Sequence, residues 1–157
     1  MHLIVLRGLP GSGKTTYTNK LIQEYSNIEI ISNDSLRTDD NGYNYIYENN
    51  NYIYQENYKL LINYLKNGTK IIVIDNCNIN IKLLDIYYDL SVKYNYRYLQ
   101  LVFPKPTREN IFKSLSRCQH NISNSSYLKM WLSFKSHYKD NDVNKINLAN
   151  ITTIEET

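Results

Sequence analysis

The sequence predicts one α/β domain over residues 1–157, in which a parallel sheet of four or five strands carries helices on both faces. Two observations predict this fold class. Short apolar runs alternate with longer segments whose apolar residues recur every three or four positions, which is the order strand, helix, strand, helix. The first apolar run leads directly into the glycine-rich segment Gly8–Thr16, which opens a helix. Such alternation predicts right-handed crossovers and therefore parallel strands.

The chain begins with a strand at Leu3–Arg7 and a helix at Lys14–Tyr25. A second strand follows at Ile28–Ser32, and the polar residues 38–43 predict a loop. The residues that the first helix is expected to bury are Tyr17, Leu21 and Ile22.

A long helix is predicted at Ile46–Lys66, ended by Asn67 and Gly68. The next strand, Lys70–Ile74, is continuously apolar and is therefore expected to be buried on both faces. The residues that form the apolar face of the long helix are Tyr47, Tyr54, Tyr58, Leu61 and Leu65.

The second half of the chain predicts a helix at Ile81–Tyr94 and a fourth strand at Tyr96–Phe103. Thr107 is expected to cap a helix that runs to Cys118. After the polar residues 121–126, the pattern predicts a helix at Tyr127–Tyr138 and a short fifth strand at Val143–Leu148. The apolar stripe of the 81–94 helix consists of Leu83, Ile86, Tyr87, Leu90 and Tyr94.

The segment Gly8–Thr16 matches the phosphate-binding loop pattern G-x-x-x-x-G-K-[ST], between a strand and a helix. Its glycines let backbone amides turn inward, and these amides and the positive end of the helix form a nest for polyphosphate. Lys14 is expected to reach the β- and γ-phosphates of ATP, and the Thr15 hydroxyl to ligate Mg²⁺. The nucleotide-binding residues expected in this P-loop are Gly8, Pro10, Gly11, Ser12, Gly13, Lys14, Thr15 and Thr16.

Polar residues follow the other strands at the edge where sites of parallel sheets lie. After the second strand, the carboxylate of Asp34 can accept a proton from an attacking hydroxyl. Arg37 can bind an acceptor phosphate through two parallel hydrogen bonds. The alternative is that Asp34 or Ser32 only caps the short helix that follows.

Asp75 ends the third strand, where an acid beside a P-loop typically holds Mg²⁺, directly or through water. The nearby Asn76 and Asn78 either bind acceptor or phosphate, or cap the turn. Residues 107–126 predict a helical lid that brings Arg117 over the γ-phosphate, where its charge would neutralise the transition state.

Seven basic residues and one acid lie between Lys105 and Lys139, which favours a phosphate-rich partner; the alternative is a solvated helix face. Cys77 and Cys118 match no metal-ligand spacing and predict a reduced, intracellular protein. No apolar run approaches ~18 residues, so a membrane span is excluded, and no signal peptide is expected before the first strand. We therefore expect a cytoplasmic protein, in the host cytoplasm if the excess of Tyr, Asn and Ile reflects an AT-rich viral genome.

Four segments together resemble the polynucleotide 5′-hydroxyl kinase family, which includes the kinase domain of bacteriophage polynucleotide kinase. They are LRGLPGSGKTT from Leu6, SNDSLR from Ser32, IVIDNCN from Ile72 and RCQHNI from Arg117. The resemblance covers the chain from Met1 to about residue 138. It implies a P-loop kinase fold and an ATP- and Mg²⁺-dependent enzyme that acts on nucleic-acid 5′ ends.

The resemblance also implies a role for each matching residue. Lys14 and Thr15 would bind the triphosphate and Mg²⁺, Asp34 would be the general base on the 5′-hydroxyl, and Arg37 would hold the neighbouring acceptor phosphate. The remaining two matches are Asp75, at the acidic third-strand position, and Arg117, at the position of the lid arginine. Family lids often carry a second arginine shortly after the first, and this chain has none between Arg117 and Lys129.

The sequence therefore predicts a kinase that transfers the γ-phosphate of ATP to a 5′-hydroxyl end of DNA or RNA. Two close alternatives are a kinase of modified bases in DNA and a kinase of a small nucleoside or sugar. A nucleotide-binding switch or adaptor without turnover is the alternative from another class. The pair Asp34 and Arg37 counts against the adaptor, because a switch needs no carboxylate at a hydroxyl acceptor. The oligomeric state is not predicted.

Overall fold

The computed structural model describes residues 1–40, 42–103, 107–118 and 122–137. Strands β1 (His2–Gly8), β2 (Ile28–Ile31), β5 (Ile71–Asp75) and β6 (Arg97–Phe103) form a parallel sheet in the order β2-β5-β1-β6. The predicted α/β fold class is therefore confirmed. The predicted fifth strand at residues 143–148 lies outside the described residues.

The described part of the chain contains five α-helices: α1 (Lys14–Glu24), α2 (Asn50–Lys66), α3 (Ile81–Lys93), α4 (Arg108–Ser116) and α5 (Asn124–Ser136). None of them is long and apolar enough to cross a membrane. Side-chain caps explain where α4 and α5 begin. Thr107 Oγ1 accepts from the Asn110 amide at 3.3 Å, and Ser123 Oγ accepts from the Ser126 amide at 3.2 Å. The second cap starts α5 three residues before the predicted Tyr127.

The sheet separates two apolar cores, and a third cluster lies beside it. One face of the sheet packs against α2 and α3, with Leu61 and Leu84 among the buried residues. The other face packs against α1 through Tyr17 and Leu21. The third cluster joins Leu9 of the P-loop to α4 and α5. Consequently, the loop is packed between the sheet and the C-terminal helices.

Two details of the predicted secondary structure were wrong. Residues 38–43 are not a plain loop, because β3 (Thr38–Asp39) and β4 (Gly42–Tyr43) pair as an antiparallel hairpin. A 3-10 turn at Tyr47–Asn49 precedes α2, which begins at Asn50 rather than Ile46.

The buried faces of the helices also differ from the prediction. Five side chains that the sequence predicts to be buried are exposed in the structure: Ile22, Tyr47, Tyr54, Tyr58 and Ile86. On α2 the buried positions are Ile53, Asn57, Leu61 and Leu65, a face with a spacing of four residues. The sequence did not predict this face because Asn57 is polar. The apolar rings of Tyr54 and Tyr58 instead led to the prediction of the adjacent helix face as the buried one.

Candidate active site

The P-loop connects β1 to α1 and is pinned by close backbone contacts. Gly11 and Gly13 adopt left-handed φ angles of 76° and 98°. A Cβ on Gly11 would lie 2.0 Å from the Ser114 carbonyl oxygen of α4, and a Cβ on Gly8 would lie 2.2 Å from the Phe103 carbonyl oxygen of β6. The glycines at 8 and 11 are therefore needed for packing, in addition to any contact with phosphate.

Lys14 lies at the first position of α1 and is 8% exposed. Its Nζ donates to the Gly8 carbonyl at 3.0 Å, to the Leu9 carbonyl at 2.9 Å and to Ser12 Oγ at 3.3 Å. The ammonium group is thus held against the loop, at the positive end of a helix. This is the arrangement of charge that a polyphosphate requires.

Two further residues of the loop have defined surroundings. The Pro10 carbonyl accepts a hydrogen bond from the buried Tyr127 hydroxyl of α5 at 3.0 Å. Thr15 and Thr16 occupy the first turn of α1 and are exposed. Both residues are therefore exposed to solvent beside the loop.

Asp75 ends β5 and is 8% exposed. Burial raises the pKa of its carboxyl group, while hydrogen bonds from the Thr18 and Thr15 hydroxyls and the charge of Lys14 oppose that rise. Thr15 and Asp75 thus bring a hydroxyl and a carboxylate together, which are the oxygen ligands that Mg²⁺ prefers. The described residues contain no cluster of three or more His, Cys, Asp or Glu, but Mg²⁺ keeps several waters and phosphate oxygens and needs few protein ligands. The residues present therefore fit this ion.

Asp34 lies beyond the carboxyl end of β2. Asp75 and the P-loop lie at the carboxyl ends of β5 and β1, on the same side of the parallel sheet. The Asp34 side chain is 48% exposed, and Oδ1 lies 3.4 Å from a terminal nitrogen of Arg37. The negative charge of Asp34 contributes to the raised pKa of Asp75 and of Cys77. The structure therefore brings Asp34 within electrostatic reach of the metal-ligand candidate.

Arg37 is held by residues that the sequence analysis did not select. Its side chain is 12% exposed, donates to Asn50 Oδ1 at 2.7 Å and lies 4.8 Å from the centre of the Tyr45 ring. Among the described residues, its Nε finds no hydrogen-bond acceptor. Burial raises the pKa of the nearby Tyr43, and the charge of Asp34 adds to this effect. Tyr43 belongs to the unpredicted hairpin, Tyr45 follows it and Asn50 begins α2, so only the tertiary structure identifies these partners.

Arg117 is the C-terminal capping residue of α4, next to Cys118. The end of α4 contacts the loop, because a Cβ on Gly11 would lie 2.9 Å from the Cys118 amide nitrogen. The Arg117 side chain is exposed. Arg117 thus lies at the end of the helix that follows β6, whereas Asp34 follows β2.

The two asparagines after β5 have structural roles. Asn78 is buried, has a φ of 46° and donates to the carbonyls of Leu6 at 2.7 Å, Ile74 at 3.2 Å and Asn76 at 3.2 Å. The Asn76 side chain accepts from the Asn33 amide at 2.8 Å. For Asn78 the structure favours the turn-capping alternative, since its side-chain nitrogen donates to backbone carbonyls.

The basic residues between Lys105 and Lys139 include one whose charge is paired on the surface. Lys113 pairs with Glu109 at 2.6 Å, and Lys135 lies 5.3 Å from the centre of the Trp131 ring. Lys105 and Lys139 lie outside the described residues. This arrangement fits a solvated helix face as well as a phosphate-binding one, so both alternatives remain open.

Comparisons with known proteins agree with this fold. A family model described as an AAA domain matches residues 3–128. The chain is 30% identical over 108 residues to the 2′,3′-cyclic-nucleotide 3′-phosphodiesterase of Rattus norvegicus. The aligned region covers 66% of this chain and 24% of the rat protein. The chain therefore spans about a quarter of the length of that curated relative.

Two solved structures resemble the fold. A chain of the Pnkp1/Rnl/Hen1 RNA repair complex has a TM-score of 0.68 and 24% identity, with 87% of this chain and 45% of that chain covered. Kti12 of Chaetomium thermophilum, in complex with ADP-AlF3, has a TM-score of 0.50 and 18% identity, with 85% and 80% covered. At these identities the similarity shows the fold, which is the predicted P-loop class.

Proposed function

The chain belongs to the AAA domain family, and from this premise we propose that it is a kinase that transfers the γ-phosphoryl group of ATP to the 5′-hydroxyl of a DNA or RNA strand. The observation that carries the proposal is the position of Asp34, an exposed carboxylate at the same sheet edge as the P-loop and Asp75. A carboxylate at that position suits proton transfer from an alcohol. The name of one similar structure, an RNA repair complex, supports nucleic acid as the acceptor, and the name of the cyclic-nucleotide phosphodiesterase supports a substrate that contains a nucleotide.

The nucleotide side of the site is formed by the loop and α1. Lys14 would exchange its bonds to the loop carbonyls for bonds to the β- and γ-phosphates. Thr15 and Asp75 would hold Mg²⁺, directly or through water, and the ion would neutralise charge on the phosphates. Arg117 would approach the γ-phosphate as part of a lid over residues 107–126.

The acceptor side is formed by the residues after β2. Asp34 takes the proton of the 5′-hydroxyl while that oxygen bonds to the γ-phosphorus and the bond from the γ-phosphorus to the bridging oxygen of ADP breaks. Arg37 binds the phosphate next to the acceptor sugar, and its contacts with Asn50 and Tyr45 hold the guanidinium in place. The order β2-β5-β1-β6 supports this division of roles, because Asp34 follows β2 and Arg117 lies on the element after β6, the strands at the two ends of the sheet.

The test is phosphate transfer from labelled ATP to matched DNA and RNA oligonucleotides with 5′-hydroxyl ends. Oligonucleotides with 5′-phosphate ends and free nucleosides serve as acceptor controls. Asp34→Asn should lower transfer by about 10²–10⁴-fold while ATP affinity changes by no more than a few-fold. Asp89→Asn makes the same change on the exposed face of α3 and should leave transfer unaffected.

Full transfer by the Asp34→Asn variant would remove this carboxylate from the mechanism. ATP binding without transfer to any acceptor would favour the adaptor alternative, and transfer to free nucleosides alone would favour a small-molecule kinase. Binding of the oligonucleotide should weaken steeply as salt is raised, since a strand is bound through its phosphates.

A further inference from the structure

A cavity of about 370 Å³ lies between α2 and α3, beyond the carboxyl ends of β2 and β5. Its floor is the apolar core, with Ile74 of β5 among the buried residues. Asn33 and Asn76, which follow the two strands, form its edge nearest the proposed active site. The cavity is distinct from the P-loop, since no residue of Gly8–Thr16 lines it.

Aromatic side chains form the walls of this cavity. Tyr54 and Tyr58 are one helical turn apart on α2 and are 47% and 48% exposed, and Tyr87 lies on α3. Both α2 tyrosines and Tyr87 line the same cavity, and burial raises the pKa of Tyr87 to about 12. Half-exposed tyrosines beside an apolar cavity favour an occupant that stacks on aromatic rings.

The edge of the cavity carries amide groups. Asn57 is 7% exposed, and its Nδ2 donates to Asn33 Oδ1 at 2.7 Å. Its own Oδ1 is buried and accepts no hydrogen bond within the described part of the chain. An occupant with an N–H donor would satisfy this oxygen, whereas a purely apolar one would leave it without a partner.

We propose that this cavity binds the base of the 5′-terminal nucleotide of the acceptor strand, an inference that rests on the proposed function. Asn33 lines the cavity and directly precedes the proposed general base Asp34, so that the Cα atoms of the two residues are about 3.8 Å apart. In a 5′-terminal nucleotide the attacking oxygen and the base are carried by one sugar. A base in the cavity would therefore direct the 5′-hydroxyl toward Asp34.

The size of the cavity favours a single base. Its volume of about 370 Å³ is near the lower end of the range for small-molecule pockets, about 300–1,000 Å³. Stacking on aromatic rings tolerates every base, because each has a flat π-face. The site would accordingly position the terminal nucleotide with little preference for its sequence.

The experiment compares two acceptors, one with a normal 5′-terminal nucleotide and one that is abasic at that position. Tyr54→Ala and Tyr58→Ala remove the cavity walls at exposed positions. Tyr52→Ala is the matched control, since this tyrosine lies on the same helix, is 62% exposed and does not line the cavity. Removal of either wall should raise KM for the normal acceptor about tenfold and leave KM for the abasic acceptor unchanged.

A binding measurement separates this inference from the proposed function. An oligonucleotide with 2-aminopurine at its 5′ end should lose fluorescence on binding the unmodified protein without ATP, and lose less with Tyr58→Ala. Such quenching without phosphate transfer would support base binding in the cavity and contradict the proposed kinase activity. Transfer with equal KM for normal and abasic acceptors would support the kinase and overturn the cavity. Absence of both quenching and transfer would overturn both proposals.

Discussion

The three glycines of the P-loop give a test in which steric contact and backbone strain can be separated. At Gly8 a Cβ would collide with the Phe103 carbonyl oxygen at 2.2 Å, without a positive φ. At Gly13 φ is 98°, but a Cβ would meet nothing within 4 Å. At Gly11 both conditions apply, since φ is 76° and the Ser114 carbonyl oxygen would lie 2.0 Å away.

These geometries set the expected order of instability for the three Gly→Ala variants. Left-handed backbone costs an alanine about 1–2 kcal/mol, which is the expected loss for Gly13→Ala. Overpacking costs about 1–3 kcal/mol, which is the expected loss for Gly8→Ala. For Gly11→Ala the two effects add to about 2–5 kcal/mol. Alanine also restricts the unfolded chain, but it does so equally at all three positions.

Urea unfolding measures these differences, with the fluorescence of Trp131 as the signal. This is the single tryptophan of the chain, and it packs in the cluster that joins the P-loop to α4 and α5. Gly11→Ala should have the lowest midpoint of the three variants. Equal midpoints for Gly11→Ala and Gly13→Ala would contradict the contact between the loop and α4.

Two further predictions concern stability. Tyr127→Phe removes the hydrogen bond to the buried Pro10 carbonyl and should lower the free energy of unfolding by about 1–2 kcal/mol. Thermal unfolding would register this loss as a fall in Tm of roughly 2–8 °C. An unchanged Tm would show that water replaces the hydroxyl. Burial, together with the charges of the N-terminus, Arg97 and Lys70, lowers the pKa of His2 below its ordinary value of 6.5, so the unfolded chain binds the extra proton first. Stability should therefore be full above pH 6.5 and fall as pH decreases through that value, and His2→Gln should remove this component from a pH series of urea midpoints; identical pH profiles for the two proteins would contradict it.

The sequence predicted most of the elements that position the site, because each of them has a local signal. The continuous apolar run of β5 identifies a strand buried on both faces, and the acid that ends it is therefore Asp75. The cap at Thr107 and the helix end at Gly68 were likewise confirmed. The resemblance to polynucleotide kinase-like P-loop proteins was confirmed at the level of family and fold.

Other features depend on contacts between distant segments and have no local signal. The partners of Arg37 are Asn50 and Tyr45, which come from beyond the hairpin. Asn57 lies on the buried face of α2 because Asn33 pairs with it, and a polar residue at such a position does not predict burial. The need for Gly11 comes partly from α4, about a hundred residues further along the chain.

The two carboxylates of the candidate site differ in the way that their proposed roles require. Asp75 is 8% exposed and is bonded by threonine hydroxyls, whereas the side chain of Asp34 is 48% exposed. Burial and the charge of Asp34 both disfavour the ionised form of Asp75, and a cation beside it would oppose both effects. Asp34, by contrast, has a half-exposed side chain beyond the carboxyl end of β2, where a proposed acceptor could reach it. The exposed carboxylate is therefore the one suited to exchange a proton with a substrate, and the buried one is suited to hold a metal ion.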